Sequence, residues 1–341
     1  MTPVRPTTRT GPAGRVPPTT RTDPAGRRHR RPAARFGRRA VGAAAGIVLD
    51  RLLGEPPVPG HLHPVALFGS GVSAVEGRLY DDRRAPGAVL AALGVGAAAL
   101  AGAALGSPTM GAYLASSGRG LHEAALAVAG ALDVDDLAGA RSLLPSLVGR
   151  DPRGLDEAAI ARAVVESVAE NTTDAVVAPA LWTAAAGSVG AFVHRAGDTL
   201  DSMVGYRDAR YARFGAPAAR LDDVLAWVPA RATAGLVMLA RPRRAGAVAR
   251  TVRADAGHHP SPNAGVTEAA FAAALDLRLG GGENRYGDVV DARPALGGGR
   301  SPARADIHAA VALSRDVTWL LAALLAGSGA VALLSSGRSR R

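Results

Sequence analysis

Cysteine is absent from all 341 residues, which excludes disulfides, thiolate nucleophiles and Cys-ligated zinc. Lysine is absent as well, so every one of the 40 basic residues is arginine. That removes Schiff-base catalysis and any phosphate loop that ends in Lys-Ser/Thr. Aromatic residues are only 4% of the chain, although 48% is hydrophobic, and the core must therefore be packed from Ala, Leu and Val. The 42 glycines suit helices that approach one another closely.

Positive charge is in excess at +11, but the excess is local. Residues 1–39 hold eleven Arg against the single acid Asp23, a balance of +10 that leaves +1 for everything else. The same stretch carries a tandem repeat, PTTRTGPAGR then PTTRTDPAGR. Its Pro, Thr and Gly content predicts a disordered tail over 1–39, ahead of a membrane-embedded domain over 40–341. Lacking an apolar run of its own, the tail does not read as a secretory signal. A basic arm in front of a hydrophobic segment reads as a cytoplasmic anchor on anionic lipid, and nucleic acid is not expected as a partner.

From Ala40 onward apolar stretches alternate with polar clusters. Pro86 to Gly106 has no charge and reaches the ~20 residues needed to span a bilayer; Val317 to Leu334 and Ala175 to Val193 are similar. Ala40 to Leu53 is weaker, being interrupted by Asp50 and Arg51, and Val224 to Ala240 carries Pro229 and Arg231. Arg-rich segments flank this last stretch on both sides, which conflicts with the positive-inside rule and predicts a re-entrant or laterally buried segment. The fold class expected is all-α, a multi-pass bundle in the cell membrane whose polar loops form a site. The whole-chain mean hydropathy of only +0.11 is also compatible with a soluble Ala-rich bundle.

Between Glu166 and Asp223 the polar residues concentrate. Glu166, Glu170 and Asp174 fall at i, i+4 and i+8, which stacks three carboxylates on one helix face beside Asn171. Like charges in a row repel, so the row predicts a bound cation, either Mg²⁺ carrying a nucleotide or an amine, as against a solvated acidic face. Asp198 and Asp201 follow on a helix that bears His194 and Arg195; then come Tyr206, Arg207, Arg210, Tyr211, Arg213, Asp222 and Asp223. Hard oxygen ligands mixed with guanidinium forks suit a substrate bearing phosphates or carboxylates, where a structural set of ion pairs is the alternative.

Three further clusters lie outside this centre. LDRLLGEPPVPGHLHPV carries Asp50, Glu55, His61 and His63 on a Pro- and Gly-punctuated turn. In HHPSPNAGVTEAAF, the residues His258, His259, Ser261 and Asn263 precede a predicted helix with Glu268 near its start, consistent with an anion at the helix N-terminus or with simple capping. GGGENRYGD is glycine-rich without the Lys-Ser/Thr ending, a weak phosphate signal.

In this order, LDRLLGEPPVPGHLHPV, ESVAENTTDAVVAPALW, RAGDTLDSMVGYRDARYARFGAPAARLDDVLAWVPAR, HPSPNAG and ENRYGD resemble the cobalamin-biosynthesis family called CobD or CbiB. The resemblance covers most of Val41 to Leu334. It implies a polytopic inner-membrane adenosylcobinamide-phosphate synthase, which joins aminopropanol or its O-phosphate to the propionate carboxyl of cobyric acid as an amide. Three departures stand out: Glu55 where the family usually has Asp, Val266-Thr267 for Trp-Pro, and Arg285 for a frequent Tyr. The Arg-rich tail has no counterpart in the family pattern.

A synthase of this kind implies activation of the carboxylate by ATP and attack by the amine, which calls for Mg²⁺, cations and a base. On that footing Glu166, Glu170 and Asp174 are the expected metal ligands, and Asn171, Asp198 and Asp201 complete the catalytic set, with an Asp taking the amine or a second Mg²⁺. Tyr206, Arg207, Arg210, Asp222, Asp223, His259, Ser261 and Asn263 are expected to bind substrate, His258 and His259 being possible bases. An intramembrane prenyltransferase with two Asp-rich motifs, and a corrinoid-binding scaffold or transporter, are the other classes the same residues could serve.

Overall fold

The computed structural model describes residues 24–337 except Arg150, Arg207, Gly287 and Asp288, with the side chains of 24–31 and 283–292 outside the description. The described chain is helical, with one short antiparallel pair of strands. It opens with α1 (Pro24–Leu53), α2 (Pro64–Leu79), α3 (Arg84–Leu105) and α4 (Pro108–Ala115). Next come α5 (Gly118–Asp133), α6 (Leu137–Leu143), α7 (Glu157–Thr172), α8 (Ala178–Ala186) and α9 (Ser188–Val204). The second half holds α10 (Ala216–Ala240), α11 (Ala245–Asp255), α12 (Ala264–Leu275), β1 (Glu283–Tyr286), β2 (Val289–Ala292) and α13 (Arg304–Gly337).

Local chemistry sets these boundaries. Ser107, Asp136 and Asp156 accept bonds from Met110, Gly139 and Ala159 N–H groups and so cap α4, α6 and α7. Gly106, at φ 63°, closes α3 in the left-handed region.

Three helices are long and apolar enough to cross a membrane: α3, α10 and α13. They correspond to the expected spans at 86–106 and 317–334 and to the weaker stretch at 224–240. The expected span at 175–193 is not one helix. Gly187, at φ 72° and ψ −156°, takes a conformation open essentially to glycine alone and turns the chain between α8 and α9. The stretch read as re-entrant or laterally buried is a continuous helix, since α10 runs unbroken through Pro229. A proline inside a helix frees the carbonyl four residues back. Here Trp182 Nε1 on α8 donates to that carbonyl, Leu225 O, at 3.0 Å, and the lateral partner satisfies what the helix lost.

The tail boundary shifts too. Residues 24–39, expected to be disordered, are the first half of α1. Arg39 Nη1 donates to Ala185 O at 2.6 Å. Gly37 faces Gly329 of α13 so closely that a Cβ at Gly37 would stand 2.8 Å from Gly329 O.

The core is built of small residues, as the composition requires. One large cluster joins α1, α5, α7, α8, α10, α12 and α13, with Ile47, Val128, Val164, Phe271 and Val311 among its fully enclosed members. A smaller one joins α2, α3, α9 and α10 around Leu90, Leu200 and Phe214. Helix α12 is buried on every side, the mark of a central helix.

Candidate functional site

The site grows out of an irregularity at the end of α7. Residues Thr173–Val177 form one π-helical turn leading into α8, a feature that recurs at functional sites. Pro179 explains part of it: lacking an N–H, it leaves Ala175 O free, and Ser117 N at the start of α5 fills that acceptor at 3.1 Å. The end of α7 is pinned from the other side. Thr172 Oγ1 meets Ser314 Oγ of α13 at 2.7 Å, Ser314 Oγ lies 2.8 Å from His122 Nε2, and His122 Nδ1 lies 2.7 Å from Arg51 Nη1. Burial, aided by the Arg51 and Arg315 charges, pushes the His122 pKa down to about 3. The ring is therefore neutral, accepting from Arg51 and donating to Ser314.

Onto this frame the fold brings the carboxylates of three separate sequence motifs. Glu170 and Asp174, from α7 and the π turn, and Asp222, from α10, line one small cavity of about 30 Å³ together with Ser261, Asn263 and Thr267. Asp198 and Asp201 of α9 act electrostatically on Glu170. Glu170 is exposed to water, yet protein surrounds it on most sides, as at the floor of an open cleft. Loss of hydration raises its pKa, Arg293 opposes the shift, and Asp198 and Glu166 add to it. Asp174 is also raised, by desolvation first and then by Asp198, Asp222 and Glu170, with Arg195 opposing.

The expected metal row does not hold in the form the spacing suggests. Glu166 is buried and occupied: its Oε1 accepts from Gly280 N at 2.8 Å and lies 3.8 Å from Arg162 Nε. It anchors the glycine-rich segment before β1. Glu170 and Asp174 stay together in the lining of the cavity at Asp222, and Glu166 is not part of that lining. Among the described residues, no three His, Asp or Glu side chains form a ready-made metal cage.

The other expected residues divide. Asn171 donates to Ser167 O at 3.0 Å and faces away from Asp222, into a different cavity. Asp198 pairs with Arg195 at 3.1 Å. Asp223 O accepts from Asn263 Nδ2 at 2.8 Å. Ser261 Oγ accepts from Asn263 N and Ala264 N at 3.3 and 3.2 Å, at the start of α12. His259 is buried, its Nε2 2.5 Å from Arg293 Nη1 and 3.7 Å from Glu268 Oε1. Its neighbour His258 is exposed. Arg210 lies elsewhere, bonded to Glu76 at 3.1 Å and stacked over Tyr80 at 4.3 Å. Tyr206 is exposed near Tyr211, and Arg207 lies outside the described residues. The glycine-rich GGGENRYGD forms the approach to the β1–β2 pair, with Glu283 opposite Ala292.

Two arginines belong to the site that the sequence reading left out of it. Arg231 of α10 donates from Nη1 to Asn263 Oδ1 at 2.9 Å and from Nη2 to Pro262 O at 3.1 Å, with its guanidinium over the Trp227 ring at 4.3 Å. It clamps the HPSPN turn against the acidic wall. An arginine in the middle of an apolar stretch was itself the signal for it. Arg293 reaches both His259 and the field of Glu170, and its surroundings, DARP, gave no signal.

A helical bundle with three membrane-length helices and a small cavity lined by carboxylates defines a class, the all-α membrane protein. The family follows from sequence: residues 43–314 match the CobD/Cbib protein family model, and the chain belongs to that family. It is 48% identical over 298 residues to "Cobalamin biosynthesis protein CobD" of Mycobacterium tuberculosis (strain ATCC 25618 / H37Rv), covering 84% of this chain and 94% of the relative. The protein of the same name from Chromobacterium violaceum is 42% identical over 295 residues, covering 82% and 93%. The Pelobacter propionicus protein is 39% identical over 277 residues, covering 74% and 84%. No solved structure matches the chain.

Proposed function

We propose that this protein acts in cobalamin biosynthesis as a multi-pass enzyme of the cell membrane, forming the amide between the propionate carboxyl of adenosylcobyric acid and aminopropanol or its O-phosphate. The observation that carries the reading is the convergence of Glu170, Asp174 and Asp222 on one cavity, with Asp198 and Arg293 in their field, in a chain of the CobD/Cbib family. A purely structural bundle would not gather like charges there, since burial and mutual repulsion both disfavour it.

The chemistry balances as an ATP-dependent ligation. The carboxylate takes the terminal phosphoryl group of ATP and ADP leaves; the amine then attacks the acyl phosphate, the C–N bond forms, inorganic phosphate departs and one proton is released. Glu170, Asp174 and Asp222 fit a Mg²⁺-nucleotide, because they are hard oxygen donors and Mg²⁺ binds through one or two carboxylates plus phosphates and waters, with no need of a full protein cage. When bound, the ion would neutralise phosphate charge. Arg293 is the cation set to bear developing negative charge, Asp198 or Asp201 accepts the proton of the attacking amine, and Arg231 holds the HPSPN turn in place.

The test is an assay of membranes containing the protein with adenosylcobyric acid, aminopropanol or its phosphate, Mg²⁺ and ATP, read by mass spectrometry. The expected product is a corrinoid heavier by the condensed amine and formed only with ATP. Unchanged corrinoid with folded protein refutes the ligase. Labelled corrinoid crossing vesicles unaltered would support transport instead.

A further inference from the structure

Glu55, on the Pro- and Gly-rich turn after α1, takes no part in the acidic cavity at Asp222. The fold places it in a second cavity of about 400 Å³. Ser117 just before α5, Glu123 of α5, Ser146, and Asn171 of α7 share that lining. The cavity backs directly onto the cleft, since Asn171 faces into it while its neighbours Glu170 and Asp174 face the other way. Two motifs more than a hundred residues apart thus meet across one space.

The charge in this cavity is unbalanced. Glu123 is neutralised by Arg119 Nε at 2.6 Å, and Arg119 Nη1 is further engaged by Leu52 O at 2.9 Å. Among the described residues no cation pairs with Glu55. Behind the wall, buried Asp50 accepts from Arg119 N through Oδ2 at 3.1 Å, while its Oδ1 has no hydrogen-bond partner among the described residues. The cavity therefore presents one uncompensated carboxylate, an amide and two hydroxyls. It has room for a three-carbon chain and for a phosphate on its hydroxyl.

The geometry points to this cavity as the docking site of the amine donor, with the primary ammonium on Glu55 and the chain and hydroxyl or phosphate ester beside Asn171, Ser117 and Ser146. This rests on the ligase reading and adds where the second substrate enters: opposite the nucleotide, across the end of α7. The π turn and the Ala175–Ser117 bond then set the relation of the two substrates.

Full-length protein in detergent is titrated calorimetrically with 1-amino-2-propanol, with its O-phosphate, and with 1,2-propanediol, which lacks the ammonium. At least one amine should bind and the diol should not. Glu55→Gln, and Ala124→Leu, which fills the cavity from its half-buried wall, should each weaken amine binding tenfold or more with corrinoid binding unchanged. In turnover, Glu55→Gln should raise KM for the amine tenfold or more and leave KM for ATP as it was. Which of the two amines binds more tightly identifies the donor. Wild-type affinity for the amine in both variants overturns the assignment, as does failure of the wild type to bind either amine. The two readings fail separately. Amine binding that depends on Glu55, with no amide ever formed, refutes the ligase and keeps the cavity, whereas amide formation with an unchanged amine KM in Glu55→Gln keeps the ligase and refutes the cavity.

Discussion

Glu166 and Glu170 are one helical turn apart on α7, and replacing each with Gln should separate an anchor from a participant. Gln at 166 keeps an oxygen to accept from Gly280 N, at 2.8 Å in the native protein, and loses the charge that Arg162 sees from 3.8 Å. A long, partly screened ion pair is worth about 1 kcal/mol or less, so turnover should stay within a factor of about five, the ratio that 1 kcal/mol commands. Among the described residues, Glu170 makes no such structural bond for Gln to preserve. The substitution removes one of the charges that line the cavity with Asp174 and Asp222, and turnover should fall roughly 10²-fold, as when one electrostatic contributor to a transition state is deleted. Raised Mg²⁺ should restore part of the loss. Glu166→Ala provides the stability control: it strips a charged acceptor from the half-buried Gly280 N–H and should cost about 1.5–3 kcal/mol, seen as lowered thermal stability and faster hydrogen exchange around Gly280. The reasoning is refuted if Glu170→Gln turns over normally at limiting Mg²⁺, or if Glu166→Gln and Glu170→Gln lose activity alike.

Further outcomes follow from the same structure. Arg231→Ala removes the bonds to Asn263 and Pro262 and the Trp227 stack; two charged hydrogen bonds at about 1.5–3 kcal/mol each make the HPSPN turn the segment whose exchange protection should drop first, and unchanged protection over 260–266 would contradict the clamp. Gly102→Val places a side chain where a Cβ would already be 2.7 Å from Ser188 O and from Val189 Cα, so the α3–α9 contact should lose about 1–3 kcal/mol or more, read as a lower melting temperature. His122, held near a pKa of about 3 against a usual 6.5, binds its proton in the unfolded chain first. Stability should be full above pH 6.5 and fall on acidification by about 2 kcal/mol towards pH 5, and His122→Gln should flatten that slope. Deleting residues 1–39 removes Gly37 and Arg39 from their seats on α13 and Ala185 and should lower the melting temperature, whereas deleting only 1–23 leaves those contacts in place and should not.

What the sequence disclosed and what it hid differ by the range of the interaction involved. Apolar length alone located α3 and α13, because crossing a bilayer is a property of a single segment. The carboxylates of ENTTD, DTLD and RLDD announced themselves as costly charges among apolar helices, and they do meet in one field. Their partition was not legible. Whether Glu166 binds a ligand or a backbone depends on Gly280, more than a hundred residues downstream, and nothing in the local pattern names that partner. Pro229 misled for the same reason: the carbonyl it frees is satisfied by Trp182 of another helix, so a residue that reads as an interruption becomes a joint. The same logic governs Pro179, whose freed acceptor at Ala175 is taken by Ser117. In both cases the missing N–H of a proline is converted into a bond between helices, and the second of these bonds places the wall of the Glu55 cavity against the turn that carries Asp174. In a core built almost wholly of Ala, Val and Leu, which can pack in many registers, such directional bonds to freed carbonyls, together with the glycine contacts at Gly37 and Gly102, select one arrangement and so hold the cleft and the cavity on opposite faces of α7.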